Sequence, residues 1–341
     1  MIQRALTTQF LSLQIIQGFS EETLMNEHRK AILNRIVIWV FISLILLPKV
    51  SIAETVSLPW VDPTSFGFSG DSSPEKNRES LQKALDTGKN VWIPQGTYRV
   101  LPGVVQKTNN QHVYADGVIL KTTADGTIWT MGEFGKGKVL RNAGLRGLSV
   151  VREGSLGDST SAGIRVVQVL ESFLRVGVEN FGIGIEFTAD AEGTVYNEIH
   201  LIRIWNCGKG IFLNPTASGW VNENNFYGGR FSNVGAAAKT IAHVYSPKSE
   251  SMHGSTNQNK FFGPSMEGTA SYAILDGGIS NFYLSPRLEG KWLGNGKPIY
   301  LTKDSKMIGI ITSWYATNIL DEGTENLLIT PKLFQQGSKV R

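Results

Sequence analysis

Three stretches of the chain share one pattern, and this repeat constrains the fold more than any other feature of the sequence. Each stretch has an asparagine, then aromatic residues, then glycine or proline; they are residues 224–231, 259–268 and 281–290, with 196–204 as a fainter fourth. If Ile199, Phe226, Phe261 and Phe282 form one stacked column, the steps are 27, 35 and 21 residues. Steps of roughly 20 to 30 residues are typical of a solenoid, in which each coil contacts its neighbours. The long step contains polar residues 247–256, which predict a loop protruding from one coil.

Short strands, rather than helices, are predicted to build the coils. Segments 163–169 and 182–187 are rich in Val and Ile and begin with glycine, and the chain contains 37 glycines. Stacked helical repeats are the competing solenoid, but β-branched residues and frequent glycine favour strands. A chain that is 41% hydrophobic and 18% charged can also bury a core. The sequence therefore predicts an all-β fold of stacked parallel strands.

Residues 70–98 resemble the start of a known superfamily. Gly70-Asp71 forms a turn, residues 73–88 have the cap, proline and apolar spacing of a helix, and residues 91–98 read VWIPQGTY. Here the chain resembles the pectate-lyase-like superfamily in its rhamnogalacturonase A/B/epimerase-like N-terminal module, although the acidic-acidic-Thr segment usual before the helix is replaced by Ser-Pro-Glu-Lys-Asn. The repeats are also similar to those of tailspike-like β-helices. The resemblance implies a right-handed single-stranded parallel β-helix with a short N-terminal capping helix, acting on polysaccharide; it leaves a homotrimer open.

An export signal is predicted ahead of the β-helix. An apolar run at 36–47 follows Arg29, Lys30 and Arg35, and residues 51–53 supply the small residues of a cleavage site after Ala53. Twelve apolar residues are fewer than the about 20 that span a bilayer, so contact with the membrane is expected only through this signal, with an uncleaved anchor as the alternative. The mature protein is expected to be secreted or periplasmic.

The chain divides into four predicted segments. They are an N-terminal extension and signal at 1–53, with Met25 as an alternative start; an N-terminal cap at 54–100; β-helix coils at 101–335; and a polar tail at 336–341. The formal net charge is only +4, which gives no electrostatic footprint for a nucleic-acid partner.

Candidate site residues follow from the alternation of side chains along each strand. If the column above points inward, Tyr227, Phe262 and Tyr283 point outward beside His200, where aromatic rings could bind sugars; the alternative is that a loop covers them. With one extra residue in the last segment, Arg203, Arg230, Ser265 and Arg287 share a second outward column. We therefore expect substrate to bind at Arg230, Tyr227, Phe262, Tyr283, His200 and Arg203.

Two glutamates are the candidate catalysts, with Arg287 beside them. In the same alignment Glu267 and Glu289 follow in an outward column with Trp205 and Ser232, while Met266 and Leu288 face inward. Adjacent parallel strands are about 4.8 Å apart. The two carboxylates would then have the spacing of a retaining glycosidase, and their proximity would raise one pKa. The alternative is that each glutamate pairs with an arginine and serves only the solvated surface.

The remaining polar residues give weaker signals. His243 and His253 are placed in the protruding loop, where a general base could lie, and Asp276 before two glycines is typical of a turn. The single Cys207 rules out an intramolecular disulfide and is expected to be buried. No metal site or cofactor is predicted, because zinc spacing and calcium loops are missing; a lyase would still be compatible with calcium.

Three functions stay open on this sequence. The first is a depolymerase of an acidic polysaccharide, either a glycoside hydrolase or a polysaccharide lyase. The second is a non-catalytic glycan-binding or structural surface module, and the third is an epimerase of polymeric uronates. The residues that related polygalacturonases use are only echoed by 252–254 and 203–205, which places membership of that hydrolase branch in doubt.

Overall fold

The computed structural model describes residues 60–216, 218–233, 240–247, 256–312 and 319–330. The predicted signal, the start of the 54–100 segment, His253 and the tail at 336–341 lie outside these residues. Within them, no helix is long and apolar enough to cross a membrane.

One α-helix lies near the start of the described chain. Helix α1 (Pro74–Asp86) begins after Ser73, whose hydroxyl accepts from the Lys76 amide at 3.2 Å, with proline in the first turn. Its apolar side, Leu81, Ala84 and Leu85, is fully buried in the core. A 3-10 helix (Pro63–Phe66) precedes it. The helix expected from the spacing of residues 73–88 is therefore present.

The rest of the described chain forms 29 strands in three sheets, and the strands pair in parallel. The first sheet contains β1 (Trp60–Val61), β2 (Asn90–Trp92), β3 (Gly96–Arg99), β5 (His112–Tyr114), β6 (Val118–Thr122), β9 (Gly144–Arg152), β12 (Phe173–Glu179), β15 (Glu198–Trp205), β18 (Asn225–Ser232), β21 (Lys260–Phe262), β22 (Ser265–Ala270), β24 (Phe282–Leu284), β25 (Arg287–Trp292), β27 (Gly309–Ile311) and β29 (Leu327–Ile329). The second contains β4 (Val104–Gln106), β7 (Trp129–Gly132), β10 (Ala162–Val167), β13 (Ile183–Ala189), β16 (Lys209–Pro215), β19 (Ala242–Ser246), β23 (Tyr272–Asp276), β26 (Ile299–Leu301) and β28 (Ile319–Asp321). The third contains β8 (Leu140–Arg141), β11 (Val169–Leu170), β14 (Gly193–Val195), β17 (Trp220–Asn222) and β20 (Thr256–Asn257).

In the central coils successive strands belong to successive sheets, so the chain winds as a helix of coils. β12, β13 and β14 form one coil, and β15, β16 and β17 form the next and pair with them strand by strand. Parallel crossovers of this kind are right-handed. The fold is the right-handed single-stranded parallel β-helix that the resemblance implied.

A ladder of buried asparagines sets the register of four coils. Asn197, Asn224, Asn259 and Asn281 are fully buried, and each of the first three donates its side-chain Nδ2 to the Oδ1 of the next, at 2.9, 3.0 and 3.1 Å. Each Oδ1 from Asn224 onward also accepts the backbone N–H of the preceding asparagine. The ladder explains why an asparagine opens each repeat.

The ladder corrects one predicted register. Ile199, Phe226 and Phe261 stack in line as expected, but the next residue in the column is Tyr283 and not Phe282. The rings of Phe261 and Tyr283 are 4.8 Å apart. Because Asn281 must align with Asn259, the step is one residue longer than predicted, and each side chain of β24 changes face.

Candidate functional site

The outward side of the first sheet carries a row of stacked side chains, here called the ring row: Tyr114, Arg146, Phe173, His200, Tyr227 and Phe262. The guanidinium of Arg146 lies 5.4 Å from the Tyr114 ring and 4.4 Å from the Phe173 ring. From Phe173 onward the ring centroids are 5.2, 5.0 and 5.1 Å apart. Tyr227 and Phe262 therefore point outward beside His200 as predicted.

The orientation of these rings limits what they can bind. Tyr227 is inclined by only 23° to His200 and 13° to Phe262, so each ring covers the face of its neighbour. Tyr227 is 36% exposed in spite of this. A sugar packs on an aromatic face, whereas the interior of this row offers ring edges and the Tyr227 hydroxyl. The interior rings are thus poor platforms for stacking sugars.

Tyr283 was predicted to continue the exposed aromatics, and this is wrong. Its ring is fully buried, and its hydroxyl donates to Asp276 Oδ2 at 2.8 Å. Burial raises the pKa of the Tyr283 hydroxyl, and the neighbouring Asp276 adds to the effect. The residue at this outward position is Leu284, which pairs with Phe262.

A second outward column contains the predicted arginines. Arg203, Arg230, Ser265 and Arg287 pair in that order across four coils. The guanidinium groups of Arg203 and Arg230 lie 5.3 and 5.5 Å from the ring of Trp205. Arg203 lines a groove of about 240 Å³ together with Ser149, Gly177 and Glu179.

Each of these arginines forms an ion pair with a glutamate. Arg203 bonds Glu179, Arg230 bonds Glu267 at 2.9 Å, and Arg287 bonds Glu289 at 2.6 Å. The pairs lie at the surface, where their contribution to stability is small. They leave the arginine column almost neutral in net charge, while its N–H donors and carboxylate oxygens remain accessible.

Glu267 and Glu289 are neighbours in the register, as predicted, and Met266 and Leu288 are buried beside them. The expected rise in pKa does not occur at Glu267. Hydrogen bonds from Arg230 and then Ser265 hold the pKa of its carboxyl below the usual value. Glu267 is therefore an ionised carboxylate, suited to act as a base or nucleophile and unsuited to act as a general acid.

His200 has a partner that the sequence analysis missed. Its Nε2 lies 2.6 Å from Glu198 Oε1, two residues earlier on the same strand, and both side chains are about half exposed. A carboxylate that holds one ring nitrogen fixes the tautomer and leaves the other nitrogen as an acceptor. The i, i+2 spacing on one strand was the available signal, because such residues share a face.

His243 was placed in a protruding loop, and this is wrong. It lies on β19, is 2% exposed, and its Nε2 donates to the Glu267 carbonyl oxygen at 3.1 Å. Burial lowers the pKa of His243 to about 4, which excludes it as a surface base.

Asp276 and Cys207 are also interior. Asp276 accepts from Asn281, Tyr283 and the Gly278 amide at the end of the asparagine ladder, and burial raises its pKa. Asp276 therefore connects the turn at Gly278 to the buried side chains of Asn281 and Tyr283 through hydrogen bonds. Cys207 is buried as predicted, and burial raises the pKa of its thiol to about 12.

An open cleft that the sequence analysis missed lies at the start of the first sheet. It has a volume of about 720 Å³, and Trp60 and Trp92 on its wall are each 51% exposed. Trp60 contacts the Tyr114 ring edge to face at 4.7 Å, which connects the cleft to the ring row. Asp62, Gln95 and Asp116 also line it. Among the described residues, no group of three or more His, Cys, Asp or Glu side chains could hold a metal ion.

No protein-family model and no curated protein matches the sequence. Among solved structures, Geobacillus virus E2 ORF18 is 15% identical, covering 85% of this chain and 54% of that one, with a TM-score of 0.50. The enzymatically active domain of bacteriophage CBA120 tailspike protein 2 is 13% identical, over 75% and 42%, with a TM-score of 0.43. The Streptococcus pneumoniae surface protein and adhesin PfbA is 12% identical, over 79% and 87%, with a TM-score of 0.45.

These likenesses concern the fold. The chain spans about half the length of the Geobacillus virus protein. The pectate-lyase-like resemblance is confirmed at this level, since the coils, the parallel sheets and the helix beside the first coil are all present.

Proposed function

We propose that the protein acts on a polysaccharide that lies along the outer side of the first sheet. The observation that carries this proposal is a continuous outward lane, which starts at the exposed face of Trp92 in the cleft and follows the ring edges of the ring row to Phe262. These residues are joined by six successive strand pairings, which extend over about 29 Å. A polymer of repeating sugars is the ligand that matches a surface of repeating coils.

The polar groups beside the lane support the same ligand. Arg203, Arg230 and Arg287 offer guanidinium donors to sugar oxygens or carboxylates, and the glutamates paired with them accept from hydroxyl groups. The expectation of an acidic polysaccharide rests on these arginines, although their ion pairs reduce the positive charge that a uronate would meet.

Depolymerisation is the reaction we propose first. In a hydrolase, Glu267 would act as the ionised carboxylate and Glu289 as its partner, with Arg287 positioning substrate. In a lyase or a uronate epimerase, His200 held by Glu198 would remove the proton next to the uronate carboxylate, and an arginine would stabilise the charge that develops. The pairing of every arginine in the column with a glutamate favours the alternative, a surface module that binds glycan without cleaving it.

Export and assembly complete the proposal. We propose that residues 1–53 direct the protein out of the cytoplasm with cleavage after Ala53, so that it meets polysaccharide outside the cell. A homotrimer is proposed only as an assembly compatible with the resemblance to tailspike-like proteins.

The test is incubation of the full chain with a panel of acidic and neutral polysaccharides. New ultraviolet absorbance from an unsaturated uronate indicates a lyase, new reducing ends without it a hydrolase, and a changed epimer ratio an epimerase. Glu267→Gln and Glu289→Gln should each abolish hydrolysis, and His200→Gln should abolish elimination or epimerisation. Glu75→Gln on α1 is the matched control. Binding without product supports the alternative, a surface module that binds glycan without cleaving it. The absence of both binding and product refutes the proposal.

A further inference from the structure

We infer that the cleft formed by Trp60, Asp62, Trp92, Gln95, Tyr114 and Asp116 binds an uncharged sugar unit. The inference rests on the proposed function in one respect, that the ligand is a glycan. It is carried by a different part of the molecule from the arginines and glutamates discussed above.

The tryptophans of the cleft differ from the rings of the ring row in what they expose. Strand β2 directs Trp92 outward, and Trp60 meets the edge of the Tyr114 ring at 62° instead of stacking flat against it. Each indole is half exposed on the wall of a cavity of about 720 Å³. Large aromatic surfaces open to solvent in a concave site are typical of ligand binding. Here, unlike at Tyr227, a sugar could pack its C–H face on a ring.

The polar groups of the cleft suit hydroxyl groups. Asp62 and Asp116 supply carboxylate acceptors, and the Gln95 amide supplies both a donor and acceptors. Asp62 is held in place because its Oδ1 accepts from the Thr64 amide at 2.8 Å at the start of the 3-10 helix. These are the hydrogen-bonding groups that orient a ring packed on tryptophan.

The charge of the cleft selects against acidic sugars. Of the described residues that line the cleft, two are aspartates and none is a lysine or arginine. Arg175 pairs with Asp116 at 2.9 Å, but both side chains are more than half exposed, and Asp62 remains as negative charge in the cleft. A uronate would be repelled, whereas a neutral hexose or pentose would not. In an acidic heteropolysaccharide, the cleft would thus take a neutral unit and the arginine column the charged one.

The experiment measures binding of neutral oligosaccharides (gluco-, manno-, galacto- and xylo-series) and of oligogalacturonate to the full chain, by calorimetry and tryptophan fluorescence. Trp60→Ala and Trp92→Ala should each weaken binding of a neutral oligosaccharide roughly tenfold or more. Trp92→Phe should retain most of the affinity, because it keeps an aromatic face. Phe134→Ala, at an exposed aromatic that follows β7 of the second sheet, is the matched control and should leave neutral binding unchanged. Thermal unfolding verifies that each variant is folded.

The charge argument has its own variant. Asp62→Asn keeps the hydrogen bond that begins the 3-10 helix and removes the negative charge. It should improve binding of oligogalacturonate several-fold at low salt, with little change for neutral sugars. An unchanged ratio between the two ligand classes contradicts the selectivity.

The outcomes separate the two proposals. If Trp60→Ala and Trp92→Ala leave polysaccharide binding intact while Arg203→Ala or Arg230→Ala weakens it, the cleft is not the binding site. That result overturns the inference about the cleft and keeps the proposed function. Absence of binding by any member of either series and by any polymer overturns both. Neutral binding lost in the tryptophan variants alone supports the cleft.

Discussion

The buried imidazole of His243 gives the stability of this protein a measurable dependence on pH. His243 is 2% exposed, and its ring lies 5.7 Å from Phe231 and 6.0 Å from Trp292. Burial disfavours the imidazolium and lowers its pKa from 6.5 to about 4, although the hydrogen bond to the Glu267 carbonyl acts in the opposite direction. In the native state His243 therefore stays neutral at pH values at which the same residue of the unfolded chain already binds a proton.

The sign and size of the effect follow from this difference. As pH falls from about 6.5 to about 4, protons bind the unfolded state first, and the native state loses stability. At 1.36 kcal/mol per pKa unit, the whole shift corresponds to about 3 kcal/mol, and roughly 2 to 3 kcal/mol of it is lost between pH 7.5 and 4.5. This is a large fraction of the roughly 5–15 kcal/mol that stabilises a typical domain.

The assay is urea unfolding at a series of pH values, followed by tryptophan fluorescence and extrapolated to water. His243→Gln retains a donor for the Glu267 carbonyl and cannot titrate, so its stability should fall less over this range. His243→Phe is the second variant; it leaves the carbonyl without its donor, and should be less stable at pH 7.5 but equally free of this pH dependence. The pKa of His112 is also lowered, so part of the slope should persist in both variants. Parallel stability curves for wild type and His243→Gln would refute the argument.

Two further substitutions test the interior. Asn224→Ala removes a rung of the asparagine ladder: the buried backbone N–H of Asn197 loses its acceptor, and the Thr194 carbonyl loses a side-chain donor. It should lower the free energy of unfolding by about 3 kcal/mol or more in urea titrations. Asn225→Ala, at a partly exposed neighbour, should change this free energy by less than about 1 kcal/mol, and equal effects of the two variants would contradict the ladder's role. Tyr283→Phe should lower the free energy of unfolding by about 1–3 kcal/mol in the same assay, because the buried Asp276 carboxyl loses a hydroxyl donor. An unchanged unfolding midpoint would show that this hydrogen bond contributes nothing to stability.

The coil repeat and most of its columns could be predicted because neighbouring residues of a strand point to opposite faces and because the repeats can be matched to one another. With Phe226 and Phe261 inside, alternation places Tyr227 and Phe262 outside. Matching the repeats aligned Arg230 with Ser265, although strict alternation from Phe226 would turn Arg230 inward; Gly228 and Gly229, both at positive φ, interrupt the alternation there. Alternation alone does not decide which of Phe282 and Tyr283 faces inward. There, only the hydrogen bonds of Asn281 decide the face, and an apolar pattern does not contain them.

The missed features depend on contacts between distant parts of the sequence. Trp60 and Trp92 meet in one cleft because β1 pairs with β2 across the intervening helix. The pKa of Glu267 depends on Arg230, one coil earlier, and a spacing argument that considers only the two glutamates cannot tell which carboxyl stays ionised. His243 was placed with the polar residues 247–256 in a loop, yet its ring packs against Phe231 and Trp292.

The asparagine ladder also separates the length of a coil from its register. Successive asparagines are 27, 35 and 22 residues apart, yet the hydrogen bonds between their side-chain amides differ in length by only 0.2 Å. Closing a 35-residue loop instead of a 22-residue one costs about 0.4 kcal/mol in chain entropy, which a single rung readily offsets. Insertions between rungs are therefore nearly neutral, so this scaffold can acquire or exchange recognition loops in one coil while the coils above and below stay in place.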